Sequence, residues 1–177
     1  MKSKFDPQKH HRRSIRLKEY DYASEGAYYV TIVTQGRECM FGEIVDSEMY
    51  LSHNGEIVQK WWDEILVHFP NVETGAFVIM PNHIHGIIFI TNSISHEVGG
   101  EAPPLRKPTF GQIIGYLKYQ STKEMNAVNN TGTITKFWQR NYHEHIIRNE
   151  KELKQKTNYI LENPSRWDDD QANPVKH

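Results

Sequence analysis

The chain is short of cysteine, of long apolar runs and of net charge. Its one thiol, Cys39, cannot close an intramolecular disulfide, and no zinc-ribbon spacing is present, so the sequence reads as one made for a reducing cytoplasm. Beside Met40 and Phe41, Cys39 is expected to be a small apolar filler. No apolar run approaches the length of a membrane span, and the N-terminus lacks the apolar segment of a signal peptide. Neither a membrane partner nor export is therefore expected. The formal net charge of −1 does not by itself announce a nucleic-acid binder. Its distribution says more. Residues Lys2 to Lys18 hold seven Lys/Arg against Asp6, while Asp168, Asp169 and Asp170 lie near the other end. A basic arm over residues 1–25, with Arg12, Arg13 and Arg16, has the charge to meet phosphates, or to be a solvated tail. The apolar fraction, 37%, is low but gathered into runs, and 177 residues suffice for a single domain with a buried core.

Those runs predict an order of elements. Gly26–Thr34 is dense in β-branched and aromatic residues without clean alternation, as in a central strand covered on both faces. Phe41–Ser52, with a turn at Asp46-Ser47-Glu48, predicts a small hairpin outside the main sheet. Asn54 is expected to cap a helix in which Ile57, Trp61, Ile65, Val58, Trp62 and Leu66 recur at helical spacing, with the tryptophans in the core. Two strands follow around Pro81-Asn82, then a loop over 93–108 and a second helix from about Thr109 to Ala127. A second loop, 126–135, precedes a last strand over Phe137–Arg148 and a third helix over Asn149–Glu162. The order predicts an α+β, ferredoxin-like antiparallel sheet with helices on one face, an extra early hairpin and a C-terminal helix.

Chemistry is concentrated at Met80-Pro81-Asn82-His83-Ile84-His85-Gly86. Side chains two apart on a strand share a face, so His83 and His85 stand roughly 7 Å apart along one side. Imidazoles so placed can share a divalent cation, or simply form a wet polar face. A metal site needs a third ligand. In the third helix Leu153, Thr157 and Ile160 form the stripe expected to face the core, and Glu152, Lys156, Tyr159 and Asn163 form a second, polar stripe. Such a stripe suits the edge of a cleft, or a tyrosine that packs its ring and wets its hydroxyl.

Three motifs in order, Pro81-Asn82-His83-Ile84-His85-Gly86, Trp138-Gln139-Arg140-Asn141-Tyr142 and Tyr159-Ile160-Leu161-Glu162-Asn163-Pro164, resemble the single-tyrosine HUH transposases, and within them the REP-associated tyrosine transposase branch. The lead-in Arg12-Arg13-Ser14-Ile15-Arg16-Leu17 and Gly26-Ala27-Tyr28-Tyr29-Val30-Thr31 is similar to that branch too, so the likeness covers about residues 12 to 167. The resemblance implies that Tyr159 is a nucleophile and that His83, His85 and Asn163 hold a divalent metal, Mg or Mn. It also implies single-stranded or hairpin DNA as partner, and cleavage through a 5′-phosphotyrosine. The residue chemistry agrees. A phenol with a free pKa near 10 needs nearby positive charge to attack, and Lys156, one turn before Tyr159, can supply it. Gln139, Arg140, Tyr142, His143 and Arg148 are candidate DNA contacts. Two rival readings keep the fold: a nucleic-acid-binding protein without cleavage, and a metallohydrolase that uses water. A homodimer is compatible with all three.

Overall fold

The computed structural model describes residues 25–91, 108–129, 132–170 and 173. The basic arm with Arg12, Arg13 and Arg16, and the loop 93–108 apart from Pro108, lie outside the described residues. The elements are β1 (Gly26–Val33), β2 (Gly42–Val45), β3 (Glu48–Leu51), α1 (His53–His68), β4 (Val72–Met80), β5 (His83–Ile90), α2 (Phe110–Asn129), β6 (His143–Ile147) and α3 (Glu150–Leu161). The main sheet has the order β4-β5-β1-β6, and all of its pairs are antiparallel. This is the ferredoxin-like arrangement expected. β1 is internal to the sheet, which is why its apolar run shows no simple alternation. β2 and β3 form the separate hairpin, turned by Asp46 and Ser47 at φ of 52° and 67°, the left-handed backbone region that a two-residue connection between right-twisted strands favours.

Alternation along β1 and β5 sends their side chains to two layers. Tyr28, Val30, Ile32, Ile84, Ile88 and Ile90 join Val58, Trp62 and Ile65 of α1 and Ile113, Ile114 and Leu117 of α2 in the larger core. On the other side Tyr29 and Ile87 pack with Ile147 and with Ile160 and Leu153 of α3. The two crossover helices thus share one face, and α3 covers the other. Of the predicted core stripe, Leu153 and Ile160 do pack toward the sheet, with Ile160 fully buried, and Thr157 is half-buried.

Several local expectations are corrected. α1 is capped by Ser52, not Asn54: the Ser52 hydroxyl accepts from the Gly55 amide at 3.3 Å and donates to the Met40 carbonyl at 2.8 Å. Trp62 is core, stacked on Phe77 at 4.1 Å, and half-buried Trp61 packs against the same core while donating its indole N–H to Glu124 at 2.6 Å; Leu66, by contrast, is exposed. α2 runs through Asn129, so the second loop starts four residues late. The last strand is cut to His143–Ile147. Phe137 and Trp138 instead cross the end of β1, where Trp138 bridges Thr34, and the Lys118 ammonium donates to the carbonyls of Gln139 and Arg140 at 2.7 and 3.0 Å, drawing them out of the ladder. Cys39 is exposed, not a filler, because its loop turns outward before Phe41 enters the core. Among the described residues no helix is long and apolar enough to cross a membrane.

Candidate active site

α3 packs across β4 and β5, and the cleft opens between it, the C-terminal part of β1 and the start of β5. It is an open depression of about 640 Å³, lined in part by Tyr29, His83, His85, Lys156, Tyr159 and Asp170. His83 opens β5 and His85 follows two residues on, so both imidazoles share the α3 face at one end of the strand. They are not a wet face: His83 is 2% and His85 4% exposed. Behind them, Gly86 leaves room for Trp62, whose ring would lie 2.2 Å from a β-carbon at that position.

The two rings meet at an interplanar angle of 72° with their Nε2 atoms 3.1 Å apart. Each outer nitrogen is engaged. His83 Nδ1 lies 2.8 Å from Asn82 Oδ1. His85 Nδ1 lies 2.8 Å from both the Tyr29 and the Thr31 hydroxyls. Burial pushes the His83 imidazole down to about 4, against the pull of Asp170, whose Oδ2 is 3.9 Å from Nε2. Burial, then the neighbouring charges of His83, Lys156 and His143, takes His85 down to about 2. Both rings are therefore neutral, the state in which imidazole binds a metal.

This donor set fits a divalent cation. Two nitrogens ~2.0–2.1 Å from one cation lie ~2.9 Å apart at a right angle and ~3.3 Å apart at a tetrahedral one, and the observed Nε2 separation of 3.1 Å falls between. The outer-nitrogen partners are the kind that orient metal-binding histidines. Asn163, 2% exposed, has an Oδ1 with no hydrogen-bond partner among the described residues, while its Nδ2 donates weakly to the Tyr159 carbonyl at 3.5 Å. An orphaned buried acceptor one turn past the tyrosine suits a ligand. It does not, however, line the cleft. Among the described residues no third His, Cys, Asp or Glu completes a cluster with the pair.

Tyr159 is brought to the histidines within one chain. Its ring centre is 5.3 Å from that of His85 and 6.4 Å from that of Tyr29, and the residue is 40% exposed. The two tyrosines differ in kind. Tyr29 is buried, and that burial drives its phenol well above the ordinary range, so it stays protonated. Lys156 lines the cleft, its Nζ 4.5 Å above the Tyr29 ring. Glu152, on the same polar stripe, serves the helix end instead. It bonds His145 and accepts the Arg148 amide at 2.8 Å, closing the N-terminus of α3 with the cap Asn149.

Of the candidate DNA contacts, His143 lines the cleft. Arg140 and Arg148 are exposed. Gln139 is half-buried with its carbonyl held by Lys118, and the Tyr142 ring packs edge-on against Phe110 at 6.0 Å. Sequence reasoning passed over Tyr29, Thr31, Arg37 and Asp170 as site residues. A signal existed for the first two: Tyr29-x-Thr31 repeats on β1 the two-residue spacing of His83-x-His85, and strands that pair can bring two such faces together.

The ferredoxin-like sheet thus carries a buried His-x-His pair that faces a helix-borne tyrosine, as the resemblance to single-tyrosine HUH proteins implies. Comparison with known proteins finds relatives in sequence and in fold. The chain is 40% identical over 176 residues to an uncharacterised protein of Haemophilus influenzae, covering 97% of this chain and 98% of that one. It is 27% identical over 151 residues to a protein of the same organism provisionally named a REP-associated tyrosine transposase, covering 81% of this chain and 73% of the relative. A solved REP-associated tyrosine transposase bound to a REP hairpin shares the fold at a TM-score of 0.59 and 20% identity, over 87% of this chain and 74% of that one. No protein-family model matches. The chain is thus similar in sequence to a REP-associated tyrosine transposase and shares the fold of a solved one.

Proposed function

We propose that this chain is a divalent-cation-dependent DNA endonuclease and strand transferase that cuts single-stranded or hairpin-associated DNA through Tyr159. The observation that carries the reading is the meeting of the Tyr159 ring with His85 at 5.3 Å, beside two neutral imidazoles whose Nε2 atoms converge. His83 and His85 hold the cation, Mg or Mn, with Asn163 as the third ligand once its Oδ1 faces the pair. When bound, the cation neutralises a non-bridging phosphate oxygen.

The protein's own groups do the rest. The Tyr159 oxygen attacks phosphorus and gives up its proton to water. The bond from phosphorus to the 3′ oxygen breaks, and that oxygen takes up a proton to leave as a 3′-hydroxyl. The 5′-phosphotyrosine conserves the bond, so a 3′-hydroxyl can reverse the step and join strands without ATP. Lys156 brings positive charge to the phenol, and with Arg37 it sets two cations in the cleft for a phosphate backbone, beside the Asp170 carboxylate. Arg12, Arg13 and Arg16 of the basic arm, with Gln139, Arg140, Tyr142 and Arg148, are proposed to extend the contact. A homodimer need not exchange α3, since Tyr159 reaches the histidines of its own chain, and the proposed compartment is the cytoplasm.

Incubation with a labelled DNA hairpin carrying a single-stranded flank, with Mg²⁺ or Mn²⁺, tests this. A covalent adduct on denaturing gels that EDTA and Tyr159→Phe both abolish supports it. Binding without cleavage would instead make the chain a DNA-binding relative, and cutting that survives Tyr159→Phe would make it a hydrolase using water.

A further inference from the structure

The two histidines are held by chemically different partners. Asn82 donates through Nδ2 to the Arg37 carbonyl at 3.1 Å, which leaves Oδ1 facing His83 Nδ1. An amide oxygen only accepts. His83 is therefore fixed as the Nδ1–H tautomer, with its Nε2 lone pair turned to His85. His85 has no such lock. Its Nδ1 meets two hydroxyls, and a hydroxyl both donates and accepts. Thr31 and His85 are direct partners across the β1–β5 ladder, and Thr31 Oγ1 also donates to the Tyr29 hydroxyl at 3.2 Å. Backbone pairing thus builds a triangle of two hydroxyls and one ring nitrogen beneath the cleft.

We propose that Tyr29 and Thr31 are positioning residues that let His85 change tautomer when the cleft takes up its cation. The inference rests on His83 and His85 being the ligands. Without the cation, His85 donates Nε2–H to the His83 lone pair across 3.1 Å, while the Tyr29 hydroxyl donates to His85 Nδ1 and accepts from Thr31. With it, His85 carries its proton on Nδ1, donates it to the hydroxyl pair and offers the Nε2 lone pair. One proton leaves Nε2 and one is gained at Nδ1, by exchange with water, so no net proton is released. A carboxylate in place of the hydroxyls would hold Nδ1–H permanently. It would then leave two Nε2 lone pairs opposed in the empty site.

Long-range ¹H–¹⁵N correlation spectra of the full chain at pH 7 read the tautomers directly, after EDTA treatment and again with saturating Mg²⁺. The expected result is His83 as Nδ1–H throughout and His85 moving from Nε2–H to Nδ1–H. Calorimetric titration with Mn²⁺ should show a loss of roughly tenfold to a hundredfold in affinity for Tyr29→Phe combined with Thr31→Val, the range for removing partners of metal-binding histidines. Thr31→Ser, which keeps the hydroxyl, should bind like the wild type. A His85 tautomer that is the same in both states, or full affinity in the double variant, overturns this inference alone. A wild-type chain that takes up neither Mg²⁺ nor Mn²⁺ overturns it together with the cation-dependent reading.

Discussion

The two faces of the β1–β5 pair come from the same strands and carry opposite kinds of residue. Toward α1 and α2 the even positions Tyr28, Val30, Ile32, Ile84 and Ile88 are apolar and fully buried. Toward α3 the odd positions change character along the strand: Ala27, Tyr29, Ile87 and Phe89 are packed with Leu153 and Ile160, and then come Thr31, His83 and His85. The first face maximises apolar burial, at roughly 25 cal/mol per Å² removed from water. The second gives some of that up, holding buried polar groups that are tolerable because each is hydrogen-bonded. One face is built for stability and the other for chemistry, and the division falls within single strands.

The sharpest way to break this contrast is Tyr159→Phe. It should abolish covalent DNA adducts altogether while leaving the melting temperature nearly unchanged, since the hydroxyl sits on a side chain 40% exposed. Equal loss of stability would show that the chemical face also carries the fold. The reverse substitution is Trp62→Ala on the apolar face. Removing a ring 2% exposed and stacked on Phe77 should cost about 3–5 kcal/mol by urea unfolding. Losses in adduct formation should track unfolding alone.

Acid should act through the polar face. The folded His83 is held near 4, below its ordinary value of 6.5, and His85 lower still, so between those values the unfolded chain binds protons that the folded chain refuses. Stability is then full above about pH 6.5 and falls as the pH is lowered toward 4. Thermal melts at pH 7 and pH 5 should show this drop, and His83→Asn should reduce it by about half, leaving the part due to His85. The smallest effect belongs to the start of α3. Asn149→Ala removes the side chain that accepts the Glu152 amide at 2.9 Å and should cost about 1 kcal/mol. Hydrogen exchange should place the fraying in the first turn of α3, leaving α1 and α2 protected.

Much of this was legible in residue patterns. The strand order, the separate hairpin, the stripe of Leu153 and Ile160, and the pairing of His83 with His85 all follow from periods of 2 and 3.6, which are local properties. The errors were also local. Ser52 outcompetes Asn54 as a cap because the Met40 carbonyl holds its hydroxyl in place, a contact twelve residues away. The final strand is shortened because Lys118 captures two of its carbonyls from another helix. Neither partner is visible in the sequence window of the element it alters.

What the sequence determined alone is which residues share a face: two imidazoles on one strand, a tyrosine and an amide on one helix. Those relations depend only on backbone geometry. Which faces meet was decided by the tertiary structure, since α3 could reach the sheet only on the side that α1 and α2 leave open. That docking set Tyr159 against His85, and the β1–β5 register brought Tyr29 and Thr31 beneath it. Contacts between distant segments arise from packing the whole chain, and no local period encodes them.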